Sequence, residues 1–258
     1  MSDAPHPTAD AYTLRVFRDP EETARAAAEN FARTARLSST ASGRFSVALS
    51  GGSTPKRIYE LLSAAPLRDE VPWGATHVFF GDERCVPPDH AESNYRMAAE
   101  TLLARVPVPT ENVHRIRGEG DAVANASLYE DELRAFFPGS TWPAFDLVML
   151  GLGEDGHTAS LFPNSEVLTE RGAWAAAAWV ERLAAFRVTL TAESVNHARR
   201  VMFVVTGQGK SEVLREVLEG ERDPARLPAQ LIRPANGALE WLVDEAAAAR
   251  LRNRPSRV

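Results

Sequence analysis

Residues suited to proton transfer are concentrated between Phe145 and Pro163. The apolar run Asp146–Leu150 has the length of a strand that is buried on both faces of a parallel sheet. Three glycines follow it, and they allow unusual backbone angles and the close approach of a ligand. Asp155 and His157 lie within this glycine-rich segment. A carboxylate and an imidazole at the end of a strand are groups that move protons, so the segment is a candidate catalytic site.

The same segment contains a misleading pattern. Gly151–Gly156 matches the dinucleotide fingerprint G-x-G-x-x-G. Glu154 and Asp155 would repel a pyrophosphate there, and the segment lies in mid-chain, whereas the fingerprint usually opens the first βαβ unit. The sequence therefore does not favour NAD or FAD as a cofactor. The plainer alternative for His157, an imidazole that caps a helix or fills a pocket, stays open at this point.

A second glycine turn is typical of phosphate binding. It follows the predicted strand Arg44–Leu49 and precedes a helix that Pro55 and its neighbours should begin, with Thr54 as the cap. Amides and hydroxyls at such a helix start can point at one phosphate. The candidate phosphate ligands are Ser50, Gly51, Gly52, Ser53 and Thr54. The Walker A spacing and the G-x-S-x-G nucleophile motif are both missing, and a turn chosen only for tight packing is the alternative.

Charged residues follow two further predicted strands. Asp82, Glu83 and Arg84 come after the strand Thr76–Phe80, and Lys210 comes after the strand Val201–Val205. Ligands of open parallel sheets gather beyond the carboxyl ends of the strands, and a lysine there supplies a point charge for phosphate. A solvated charged loop and an ordinary surface lysine are the alternatives.

Strands and helices alternate along the chain, which predicts a doubly wound α/β fold with a mostly parallel sheet and helices on both faces. Further strands are predicted at 12–17, 113–116, 186–191 and 239–243. Helices are predicted at 20–35, 93–104 and 121–137, after Thr191, after Lys210 and after Asp244, with a polar turn at 38–43. The alanine-rich segment 173–180 permits no assignment.

Composition narrows the class of protein. A formal charge of −6 argues against a general nucleic-acid or acidic-membrane binder, and a single cysteine excludes an internal disulfide framework and a multi-cysteine zinc site. The first ten residues lack an apolar signal core, and no apolar run is long enough to cross a membrane. We expect a cytoplasmic protein in which residues 1–258 form one domain, with room for a small subdomain.

Taken together and in this order, the segments resemble 6-phosphogluconolactonases. The matching segments are Leu49–Pro55, Phe80–Pro87 with Ser93–Tyr95, Gly151–Pro163, Arg187–Thr191 and Gly207–Lys210. The resemblance implies a Rossmann-like fold of the sugar-phosphate deaminase/isomerase type. It also implies hydrolysis of 6-phospho-D-glucono-1,5-lactone to 6-phosphogluconate, in the oxidative pentose phosphate pathway, without a cofactor or metal. The implied partner is the small sugar-phosphate lactone, with no nucleic acid or membrane, and the chain is expected to be a monomer or a weak homodimer.

The resemblance also assigns roles to individual residues. His157 matches the general base, and Arg187 and Lys210 supply charge to a phosphate on residues 50–54. Asp82, Arg84 and Asp155 match positions that line the sugar, and we expect them to take part in catalysis with His157. Substrate contacts are expected from Glu83, Asn94 and Gly153. The oxyanion donor is left open between Arg84 and the amides around Gly153.

Two rival functions share the same fold. A sugar-phosphate deaminase or isomerase has a glutamate five positions after the histidine, where this chain has Phe162 followed by Pro163. A sugar-phosphate sensor would keep the phosphate site without chemistry, since a fold does not fix a function. The presence of both Asp155 and His157, and the lack of a visible DNA-binding segment, favour the lactonase over the sensor.

Overall fold

The computed structural model describes residues 12–255, and the first ten residues, for which the sequence predicts no signal core, lie outside them. Nine strands are found in the described range: β1 Tyr12–Phe17, β2 Phe45–Leu49, β3 Thr76–Phe80, β4 Asp82–Arg84, β5 Leu147–Leu150, β6 Ala175–Val180, β7 Ala185–Leu190, β8 Arg200–Val205 and β9 Ala238–Asp244. The α-helices of the same range are α1 Pro20–Ser42, α2 Ser53–Leu62, α3 Leu67–Glu70, α4 Asn94–Thr101, α5 Ala122–Phe136, α6 Ala192–Asn196 and α7 Ser211–Glu219.

The main sheet is parallel throughout and has the strand order β1-β9-β8-β5-β2-β3. Every residue of β2 and β5 is buried. Because successive side chains of a strand point to opposite faces, this burial means that both faces of the sheet are covered. The predicted doubly wound α/β architecture is therefore confirmed. Parallel strands also bring the loops that follow β2, β3, β5 and β8 to one edge of the sheet.

A second sheet was not predicted. It is antiparallel and has the order β4-β7-β6. The segment Asp82–Arg84, for which the sequence predicted no strand, is one of its strands and pairs with β7. The unassigned alanine-rich segment supplies β6. Only Gly81 separates β3 from β4, so this small sheet is held directly against the carboxyl edge of the large one.

Several predicted boundaries were wrong. Helix α1 runs to Ser42, through the predicted turn at 38–43, and ends where Gly43 adopts a φ of 78°. Gly52, at a φ of 109°, precedes α2 in place of the predicted cap Thr54, so backbone amides are left at this helix start without a side-chain cap. The segment 113–116 forms only a bridge between Val113 and Val78. The helix starts predicted at positions 93 and 121 are confirmed, since Ser93 and Asp121 accept hydrogen bonds as the N-caps of α4 and α5.

The helices of the described range are short or rich in polar residues. None of them combines the length and the apolar character that a bilayer span requires.

Candidate active site

The loop after β5 forms a tight turn that presents Asp155 and His157. The Gly153 N–H donates to the His157 carbonyl at 2.8 Å, and the Gly156 N–H donates to the Gly153 carbonyl at 3.1 Å. Gly156 has a φ of 81°, and a β-carbon at Gly153 would lie 1.9 Å from Nδ1 of His157. Both positions therefore need glycine, one for its backbone angle and one to leave room for the imidazole. The Gly153 amide is used inside the turn, which leaves little support for the expected substrate contact from that amide.

The two proton-transfer groups are bonded to each other. Nδ1 of His157 shares a short hydrogen bond with Oδ1 of Asp155, and the His157 backbone N–H donates to the same oxygen at 3.2 Å. Burial by itself would raise the pKa of Asp155, but the hydrogen bond and charge of His157, helped by Arg182, lower it to about 2. Asp155 is thus a carboxylate at neutral pH. Since Nδ1 is occupied, Nε2 is the nitrogen that can take a proton from a reactant.

Two side chains from outside this turn hold the pair. The Phe162 ring stacks on the imidazole of His157, with centroids 4.3 Å apart and planes 25° apart. Nη1 of Arg182, in the turn between β6 and β7, lies 3.2 Å from Oδ2 of Asp155. The Asp155 carboxylate therefore bonds the imidazole with one oxygen and the guanidinium with the other.

Asp82 joins three segments instead of lying open to a substrate. Its carboxylate accepts from Ser160 Oγ at 2.6 Å and from Asn94 Nδ2 at 3.2 Å, and it is only 8% exposed. Ser160 is three residues after His157, so this bond fixes the loop after β5 against β4. Asp82 can therefore serve catalysis by positioning the loop of His157, through its hydrogen bond with Ser160.

Glu83 and Asn94 are structural anchors, which does not support the substrate contacts expected of them. The Glu83 carboxylate is 2% exposed and accepts four hydrogen bonds, from the backbone amides of residues 84, 94 and 95 and from Ser93 Oγ. Burial raises its pKa, and these amides oppose the rise. Asn94 is also buried, donates to the Asp82 carbonyl and fills the space beside Gly51, where a β-carbon would lie 1.9 Å from its Oδ1. Both residues set the position of α4.

Two arginines face each other on the small sheet. Arg84 and Arg187 are directly opposite in the pairing of β4 with β7, so their side chains leave the same face. Arg84 donates to the Glu92 carbonyl at 2.6 Å, while Nη1 of Arg187 is buried without a hydrogen-bond partner among the described residues. Burial lowers the pKa of Arg187, and the charge of Arg84 lowers it further. Neither arginine forms a salt bridge in the described range. Two neighbouring guanidinium groups without a carboxylate partner can bind an anion.

The glycine turn after β2 offers only part of the predicted phosphate site. The Ser50 N–H donates to the Tyr59 hydroxyl at 3.1 Å, and that hydroxyl donates to the Ser50 carbonyl at 2.8 Å. The backbone of Ser50 is therefore occupied, although its Oγ is buried without a partner in the part of the chain that is described. Thr54 Oγ1 lies 2.9 Å from Thr206 Oγ1, so this hydroxyl also has a protein partner. The uncapped start of α2, at Gly52 and Ser53, remains the anion-binding element.

Lys210 ends the short 3₁₀ turn Gln208–Lys210 after β8. The turn is fixed by the Gly207 N–H, which donates to the carboxylate of Asp244 at 3.0 Å. Gly209 lies close to the loop after β5, because a β-carbon there would be 3.0 Å from Oε1 of Glu154. Lys210 is thus in the loop next to the Asp155–His157 turn.

These contacts bring the four predicted segments to the same edge of the main sheet. The loops after β2 and β8 meet through Thr54 and Thr206, the loops after β5 and β8 meet at Glu154 and Gly209, and β4 is tied to the loop after β5 through Ser160. Sequence reasoning did not single out Arg182, Ser160 or Thr206. Ser160 lies inside the motif that carries the resemblance, whereas Arg182 has no local signal because its partner is 27 positions away.

Comparison with known proteins identifies the family of this chain. A family model described as glucosamine-6-phosphate isomerases/6-phosphogluconolactonase matches residues 18–241. The 6-phosphogluconolactonase of Synechocystis sp. is 43% identical over 81% of this chain and 86% of that protein, and the human one is 40% identical over 91% and 92%. The solved structure of 6-phosphogluconolactonase from Trypanosoma cruzi superposes with a TM-score of 0.84 at 31% identity, over 96% of this chain and 99% of that one. The resemblance drawn from the motifs is confirmed, and the chain belongs to the glucosamine-6-phosphate isomerase/6-phosphogluconolactonase family.

Proposed function

We propose that this chain hydrolyses 6-phospho-D-glucono-1,5-lactone to 6-phosphogluconate. The observation that carries the proposal is the Asp155–His157 pair at the same sheet edge as two opposed arginines, Lys210 and an uncapped helix start. The pair provides a base, and Arg187, Lys210 and the helix start provide a site for a phosphate remote from the reacting carbon. The names of the relatives support the same substrate.

In the proposed reaction, Nε2 of neutral His157 takes a proton from water while the water oxygen attacks C1 of the lactone. Asp155 keeps the other ring proton on Nδ1, which leaves Nε2 as the acceptor. The tetrahedral intermediate then loses its bond between C1 and the ring oxygen, and the imidazolium returns its proton to that oxygen. Water is thereby added across the ester bond, and the histidine ends as it began.

The negative charge that develops on the C1 oxygen needs a donor. Of the two candidates that the sequence leaves open, the Gly153 amide already donates to His157. Arg84 is the candidate that we favour, since its guanidinium stands beside Arg187 and only Nη1 has a hydrogen bond within residues 12–255.

The phosphate is assigned to Arg187, Lys210 and the start of α2. Binding energy from this remote group would hold C1 beside His157, which is how a small substrate gains orientation. The buried, unpartnered Nη1 of Arg187 supports the assignment, because a buried donor without a partner is costly and an anion would satisfy it.

The position of Phe162 argues against the alternative function of a deaminase. A deaminase of this fold would have a glutamate at this position, as the resemblance implies, and here an apolar ring stacks on His157 instead. An aromatic ring cannot relay a proton, so the chain retains the base and lacks the second group. Water activation on an ester needs only the base.

His157→Ala tests the proposal. We expect kcat for the lactone to fall roughly 10²- to 10⁴-fold, as for a lost general base, after spontaneous hydrolysis is subtracted. His197→Ala is the matched control, since that exposed imidazole bonds only the Glu193 carbonyl and stacks on Trp142 within the described residues. Unchanged kcat in His157→Ala would refute the assignment. Turnover of glucosamine 6-phosphate instead of the lactone would favour a deaminase, and turnover of neither, with binding retained, would favour a sensor.

A further inference from the structure

The hairpin between β6 and β7 extends to the proton-transfer pair. Its tip is a single turn, Glu181–Leu183, closed by the Ala184 N–H, which donates to the Glu181 carbonyl at 3.1 Å. Ala184 has a φ of 45°, which is uncommon for a residue other than glycine. Strand pairing continues up to Val180 and Ala185, directly beside the turn. The position of Arg182 is therefore fixed by a short, well-paired hairpin.

Arg182 touches both supports of the catalytic imidazole. Its Nη1 lies 3.2 Å from Oδ2 of Asp155, the carboxylate whose other oxygen bonds Nδ1 of His157. Its guanidinium carbon lies 5.1 Å from the centroid of the Phe162 ring, which stacks on His157. A cation over an aromatic face attracts the ring, so one guanidinium contacts the hydrogen-bonding support and the stacking support together.

We propose that Arg182 is a positioning residue for lactone hydrolysis, holding Asp155 and Phe162 so that His157 presents Nε2 to water. This inference rests on the proposed function. Arg182 acts through these two residues, and no role in binding the phosphate is assigned to it.

The need for such a residue follows from the chemistry of the carboxylate. A carboxylate that is held by one oxygen only can rotate and exchange its oxygens, and the imidazole then loses its fixed orientation. A second bond to Oδ2 removes that freedom, much as outer partners orient the ligands of metal sites. The positive charge also balances Asp155, which otherwise favours the protonated ring and thus opposes its action as a base.

Arg182 is the cation in contact with Asp155, and most of the charged groups around it are acidic. They are Glu154 on the same loop as His157, Glu181 on the hairpin, and Glu166, which lines the 890 Å³ cavity shared with Asp155 and Arg182, while the cationic Lys210 lies in the loop next to the Asp155–His157 turn. Glu181 accepts from the Trp179 indole at 2.6 Å, and Glu154 is directed to Gly209. The Arg182 side chain is 57% exposed, so solvent screens its charge and a moderate effect is expected.

Arg182→Gln tests the proposal by steady-state kinetics. We expect kcat to fall about three- to tenfold with KM nearly unchanged, because the lost interaction orients the base and does not bind substrate. The acid limb of the kcat/KM profile should move to higher pH, since the uncompensated Asp155 favours the protonated ring. Arg182→Lys should restore the position of the acid limb but only part of kcat, because an ammonium lacks the planar contact with Phe162.

Arg171→Gln is the matched control. It removes the same charge from a side chain that is 58% exposed and lies 3.9 Å from Glu193, without contact to Asp155 or Phe162 in the described structure. Equal changes in Arg171→Gln and Arg182→Gln would overturn the proposal, since they would report net charge alone. Wild-type kcat and pH profile in Arg182→Gln would overturn it as well.

A second measurement does not depend on turnover. In proton NMR, the Nδ1–H of His157 bonded to Asp155 should give a downfield resonance, which Asp155→Asn identifies by removing it. We expect this resonance to broaden in Arg182→Gln and to persist in Arg171→Gln. If it stays sharp in Arg182→Gln, the positioning role fails. If it broadens although the wild-type protein does not hydrolyse the lactone, the proposed function fails and the positioning role stands.

Discussion

The two halves of the site differ in how far their polar groups are already satisfied. In the proton-transfer half, Asp155 bonds both His157 and Arg182, and the Phe162 ring contacts both His157 and Arg182. In the anion-binding half, Arg187 Nη1 and Ser50 Oγ are buried without partners within residues 12–255. We infer from this difference that the proposed base is fixed in advance, and that the proposed anion-binding half is completed by its ligand. A catalytic group that is already oriented needs no reorganisation during the reaction, and a binding group needs hydrogen-bond donors that are free to contact the ligand.

Asp155→Asn should give the largest effect and tests the first half. An amide would offer its own N–H or a weaker acceptor to Nδ1, so the ring would often carry its proton on Nε2 and fail as a base. We expect kcat to fall roughly 10²- to 10⁴-fold, with KM changed little. Steady-state kinetics at neutral pH would measure this. A loss confined to KM would mean that Asp155 belongs to the binding half.

Arg187→Ala combined with Lys210→Ala tests the second half. Each charged hydrogen bond contributes about 1.5–3 kcal/mol, so we expect KM to rise at least about tenfold while kcat changes little. Arg199→Ala with Arg233→Ala removes the same net charge from exposed side chains outside the loops of the site and serves as the control. A normal KM in the first double variant would remove these residues from the phosphate site.

The smallest expected effect is a change of stability with pH, which can be measured separately from the pH dependence of catalysis. Nδ1 of His77 lies 3.2 Å from Nε2 of His114, and burial, together with the charges of His114 and Arg44, lowers the pKa of His77 from 6.5. The folded state then binds this proton less readily than the unfolded state. The free energy of unfolding should be highest above about pH 6.5 and should decrease as the pH falls below it.

Urea unfolding at pH 7.5 and pH 5.5 would measure this change, and His77→Gln should reduce the difference in midpoint between the two pH values. An equal difference in the variant would assign the pH dependence to other groups. Because this cluster is separate from Asp155 and His157, His77→Gln should leave the acid limb of the activity profile in place. That result would distinguish protonation of the base from unfolding.

Much of the fold was predictable because its signals are local. Continuous apolar runs predicted β2, β3, β5 and β8, and side chains that cap their own helices predicted the starts of α4 and α5. The end of α1 was not predictable, since its serines and threonine suit a turn as well as a helix. The small sheet was missed because β4 has three residues, and its strand character depends on pairing with β7, about a hundred positions later.

For the site, the sequence alone determined which chemical groups are available. They are a carboxylate and an imidazole in one glycine turn, a second glycine turn before a helix, and the cations Arg84 and Lys210 after two further strands. Only the tertiary structure decided how they are used. It placed Glu83 and Asn94 in the anchoring of α4, turned Asp82 into a link to Ser160 and brought Arg182 to Asp155. The reason is that a polar side chain can bond whatever the fold places beside it, and for Asp82 that partner is 78 positions away in the chain.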